Sequence, residues 1–126
     1  MEEWQRDFEW LRVRHMVKDM MGKDKLPDFQ SILFLIGIQE LGKWEGNFTK
    51  EEKQDLMHIA TCRLLEGDGF YNFKGRDQDG WPHYDQVKKF NISGVKQQET
   101  FLIEKMIEYF NLLEAETPLS TYNEEE

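Results

Sequence analysis

The chain has 126 residues, 39% hydrophobic and 13% aromatic, with a formal net charge of −9 from 25 acidic and 16 basic side chains. That aromatic supply excludes a disordered chain, and the acidic balance argues against binding a nucleic-acid backbone or an anionic membrane. The length suits one domain burying roughly two thirds of its unfolded surface, while the lone cysteine, Cys62, rules out an intrachain disulfide and points to a reducing, cytoplasmic setting.

The opening MEEWQRDFEW is charged from its second residue and has no apolar stretch of the signal-peptide kind. Residues 2–21 are expected to form a first helix, apolar on two sides. Trp4, Phe8, Leu11 and His15 recur at helical spacing and share one stripe, while Trp10, Val13, Val17, Met20 and Met21 fall roughly opposite. The second set is expected to dock on the next helix. Either the helix is sandwiched and Trp4, Phe8 and Leu11 are a second core face, or this first set is left uncovered, which marks an interface with a protein partner or a homodimer.

The next helix opens around Leu26-Pro27-Asp28, where proline suits the first turn. FQSILFLIGIQEL is apolar nearly all round and ends at Gly42, so a central buried helix is expected over 28–41. Its apolar run, Ile32 to Ile38, falls well short of the roughly 20 residues needed to span a membrane. After a loop, Thr49 and Glu52 fit a capping box, and Leu56, Met57, Ala60 and Leu64 give the third helix, Lys50 to Glu66, one apolar face.

Residues 67–92 lack a helical period. Asp79-Gly80 fits a two-residue turn, and pairing outward from it sets Arg76 against His83, Gly75 against Tyr84 and Lys74 against Asp85. Pro82 confines its strand to an edge, and a lone hairpin must lean on the helices through Phe70, Tyr71 or Phe73. Ser93 is the expected N-cap of a last helix near 94–115. Its apolar face is Val95, Leu102, Ile103, Met106, Tyr109, Phe110 and Leu113. The expected fold is mainly all-α. A four-helix bundle-like domain would fill residues 1–116, with a small β-hairpin or irregular insert (67–92) between helices three and four. Residues 117–126 would be a flexible acidic tail.

Chemistry concentrates in GRDQDGWPHYDQ, residues 75–86. Asp77, Asp79 and Gly80 match positions three, five and six of a calcium-binding helix–loop–helix, but Gly75 and Gln86 stand where its end ligands belong. A looser divalent-cation site from Asp68, Asp77, Asp79 and Asp85 is the alternative. Asp55, His58 and Cys62 lie on one side of the third helix, away from its apolar face, as surface or boundary residues. No phosphate loop, nucleophile elbow or dinucleotide fingerprint is present. Trp81, His83 and Tyr84 follow the turn, and such aromatics dominate binding hot spots, although Trp81 serves equally as a cover for the end of the helices. The expected protein works by protein–protein interaction, as subunit, adaptor or inhibitor, through Trp81, His83 and Tyr84 or through Trp4, Phe8 and Leu11. It needs no cofactor; the alternative is a metal-binding protein or metal-dependent enzyme.

Overall fold

A computed structural model describes residues 1–44 and 46–116; the expected acidic tail lies outside the described residues. Four helices, α1 (Glu3–Met21), α2 (Phe29–Leu41), α3 (Lys50–Glu66) and α4 (Val95–Glu116), are joined by one antiparallel hairpin, β1 (Tyr71–Arg76) and β2 (Pro82–Gln86), placed in sequence between α3 and α4. Among the described residues no helix is long and apolar enough to cross a membrane.

The helix ends follow local chemistry. Asp28 accepts from the Ser31 N–H at 2.9 Å, and that bond holds its carboxyl below the usual range. Thr49 and Glu52 complete the capping box in both directions. Gly22 and Gly42 end α1 and α2 in the left-handed conformation. The start of α4 falls one residue later than Ser93 predicts, with the Gly94 carbonyl accepting from the Gln98 N–H.

The main core gathers Val13 and Val17 of α1, Ile32, Leu33, Leu35 and Ile36 of α2, Ala60, Leu64 and Leu65 of α3, and Leu102, Met106, Ile107, Tyr109 and Phe110 of α4. Two packing expectations need correction. The body of α1 packs on α4, not chiefly on α2. Arg6 bridges to Glu104 at 3.1 Å and Arg12 to Glu114 at 3.6 Å, partners that climb both helices together, so α1 and α4 run in the same direction. Met20 and Met21, past the last inward turn, are exposed.

Helix α3 is buried on two sides. One side meets α2 and α4; the other, carrying Ile59 and Cys62, lies under the hairpin. Cys62, expected at the surface, is therefore buried, and burial pushes its thiol up to about 11. At the α2–α3 crossing Gly37 is buried, and a Cβ there would lie 2.9 Å from Leu56 Cβ and overlap the Leu56 carbonyl.

The hairpin forms, in a different register. Arg76 pairs with Pro82, Gly75 with His83, Phe73 with Tyr84 and Asn72 with Asp85, with an irregularity between Phe73 and Gly75. The Asp77 side chain is the reason at the tip. Its Oδ1 accepts from the Asp79 and Trp81 amides at 2.9 and 3.0 Å, while the Asp77 N–H donates to the Trp81 carbonyl. The turn therefore holds three residues, 78–80, and Gly80 supplies the positive φ of 88° that such a turn requires. Lys74, displaced into the bulge, still reaches Asp85 at 3.5 Å.

Candidate interaction surface

Helix α1 turns Val13 and Val17 inward and leaves Trp4, Phe8 and Leu11 outward at 69%, 63% and 44% exposure. His15 continues the stripe, also exposed. The indole N–H of Trp4 donates to Glu2 at 2.9 Å, so the ring lies along the helix surface instead of reaching back to the core. Arg6 and Arg12, just off the stripe, are turned toward α4 by their carboxylate partners.

Trp81 and Tyr84 sit differently. Both are half-buried against a second cluster of Leu41, Leu56 and Ile59, together with Phe34, Ile38 and Phe48. Phe48 meets Trp81 edge-on, ring centres 6.4 Å apart, and Tyr84 meets Phe73 at 5.6 Å. His83 alone of the three is exposed, with Nε2 2.9 Å from Asp77 Oδ2. That contact and the Trp81 amide hold the Asp77 carboxyl below its usual range.

The hairpin tip is fastened to the end of α2. Arg76 donates to the carbonyls of Glu40 at 2.7 Å, Leu41 at 3.2 Å and Gly80 at 2.8 Å, satisfying orphan helix-end acceptors. Lys43 donates to the Asp79 carbonyl at 2.7 Å. GRDQDGWPHYDQ is thus a clamped turn whose tryptophan caps an apolar cluster, and sequence reasoning missed Arg76 as the clamp.

The four aspartates of the cation reading are not brought together. Asp68 bridges to Lys105 of α4 at 2.8 Å and Asp85 to Lys74, while Asp77 holds the turn amides and His83. Among the described residues no three His, Cys, Asp or Glu side chains converge as a metal group. On α3, Cys62 Sγ lies 3.5 Å from His58 Nε2, and His58 stacks edge-on to Tyr71.

A polar cluster that the sequence did not announce joins α2, α3 and α4. Tyr109 donates its hydroxyl to Glu40 at 2.6 Å, Arg63 lies 3.5 Å from the other Glu40 oxygen, and the guanidinium covers the Tyr109 ring at 5.4 Å. Burial, with the Glu40 contact, raises the Tyr109 hydroxyl far above its ordinary value. Burial and the charges of Glu40 and Glu66 push Tyr84 up to about 12. Tyr109, Glu40 and Arg63 answer one another, so the cluster ties three helices together. No family model, curated protein or solved structure matches this chain.

Proposed function

We propose that this protein acts by binding protein, through the outward face of α1, within a bundle-like arrangement of its four helices. The observation that carries the reading is the exposure of Trp4 at 69% and Phe8 at 63% on a formed helix whose opposite face is core. Large aromatics adjoining one another outside the core are the usual material of interfaces. Trp81 and Tyr84 support the reading less, because their rings are engaged with Leu41, Leu56 and Ile59. The cation alternative draws less support still, since Asp68, Asp77 and Asp85 already face cationic side chains or amides. The single cysteine suits a reducing compartment, and on that ground we place the protein in the cytoplasm.

A photo-crosslinking residue at position 8, introduced in living cells, tests the assignment. The expected result is a discrete protein adduct, of whatever identity, that disappears when Trp4→Ser is added. Position 8 giving no adduct, while the protein is folded and abundant, would overturn it.

A further inference from the structure

The charges along α1 narrow the occupant of its outer face. Glu2 at its N-cap and Glu3, Asp7 and Glu9 make its first half acidic, while its second half carries Arg12, Arg14, His15 and Lys18. Arg6, turned inward to Glu104, and Asp19 are the exceptions. The stripe itself, Trp4, Phe8, Leu11 and His15, has the alternating four-and-three spacing of a helix-pair seam. On a helical wheel, Glu3, Asp7, Arg14 and Lys18 all fall on the same flank of that seam, at ~100° per residue. Among the described residues Glu3, Asp7 and Lys18 have no side-chain ion-pair partner within the chain. Arg14 donates its Nε to the Pro27 carbonyl at 2.9 Å, and its charge helps hold the Asp28 carboxyl below the usual range.

A helix that is acidic in one half and basic in the other is complementary to itself when reversed. Resting on the α1-face reading above, we propose that the occupant is a second copy of this chain, docked antiparallel about a twofold axis midway along α1. Phe8 then stacks on the second copy's Leu11 and Trp4 on its His15. On the flank, Asp7 meets the second copy's Arg14 and Glu3 its Lys18, and the symmetry repeats each contact. A parallel pair would instead set His15 on His15 in the seam, with helix dipoles aligned unfavourably. A partner of uniform charge would gain at one half of α1 and lose at the other.

Sedimentation of the full chain over micromolar to millimolar concentration tests the proposal. The wild type should move from 15.2 kDa toward twice that mass. Trp4→Ser/Phe8→Ser should remain monomeric with nearly unchanged melting temperature, since the replaced rings are exposed. Asp7→Arg and Arg14→Asp should each weaken the dimer about tenfold, because each opposes like charges twice about the axis. An equimolar mixture of those two variants should associate as tightly as wild type. That rescue is specific to the antiparallel register: in a parallel pair the mixture leaves the new arginine at 7 facing Arg12. Because Arg14 also anchors Pro27, Glu3→Lys mixed with Lys18→Glu repeats the rescue without touching that bond.

A wild type that stays at 15.2 kDa throughout overturns self-association. An adduct from position 8 with a foreign protein would then leave the α1-face reading standing alone. A dimer indifferent to Trp4→Ser/Phe8→Ser, or variants that no mixture restores, overturns the proposal as well.

Discussion

Gly37 occupies the point where α2 crosses α3, with the Leu56 backbone where a side chain would go. Gly37→Ala removes an entropic cost of glycine in a helix, worth up to about 1 kcal/mol, yet forces two packed helices apart. Overpacking of this kind costs about 1–3 kcal/mol, and here the obstacle is backbone, which yields least. The variant should melt several degrees lower by calorimetry. A melting temperature at or above wild type would show that the crossing relaxes freely. Nothing in ILFLIGI announces this requirement. The run marks a buried helix, but which residue faces the nearest backbone depends on how two helices meet. Trp4 and Phe8 are a partial case: the wheel sets them opposite Val13 and Val17, but which of the two apolar sides is core depends on where α4 packs.

Among the elements, the helices were legible because caps and periodicity are local. Asp28, the Thr49–Glu52 box and the terminal glycines act within a few residues of their own position. The second buried side of α3 was not legible, since Ile59 and Cys62 are covered by a hairpin distant from them in sequence. The hairpin is legible in Asp79-Gly80 and its flanks, but its register is not, because Asp77 binds two amides and enlarges the turn to three residues. Its attachment depends on Arg76, whose planar fork spans two helix-end carbonyls and the turn. Arg76→Ala should cost about 1–3 kcal/mol through the loss of its charged hydrogen bonds to the Glu40, Leu41 and Gly80 carbonyls. Amide exchange across 71–86 should quicken while the buried turns of α4 keep their protection. Arg76→Lys, a point charge without the fork, should fall between the two. Unchanged hairpin exchange in Arg76→Ala would show that Trp81 packing alone holds the insert.

For the whole molecule, the Glu40–Arg63–Tyr109 cluster sets a limit at alkaline pH. Folding raises the Tyr84 hydroxyl to about 12 and the Tyr109 hydroxyl well above its ordinary value. Above pH of about 9 for the buried Cys62 thiol and about 10 for the tyrosines, the unfolded chain releases protons that the folded chain retains, so stability falls as pH rises. The stabilisation is complete below the unfolded value and is lost on the way up through the folded ones. Tyr109→Phe should therefore lose about 1.5–3 kcal/mol of stability at neutral pH, for a lost bond to a carboxylate, and show a flatter alkaline decline. If the two proteins lose stability in parallel between pH 9 and roughly 11.5, Tyr109 is not the group responsible.

The packing of α1 on α4 has a consequence for synthesis. The bridge from Arg6 to Glu104 joins residues 98 apart, so the helix made first finds its seat only after the last one is made. At roughly 5–20 residues per second, that separation leaves α1 waiting about 5–20 s beside the ribosome. Throughout that interval Val13 and Val17 lack the α4 part of their core, and the nascent helix keeps apolar surface on both sides. Meanwhile α2 and α3, joined by a short loop, can close over Gly37 without it. A growing chain is therefore most adhesive after α1 has emerged and before Met106 and Phe110 arrive to cover its inner face.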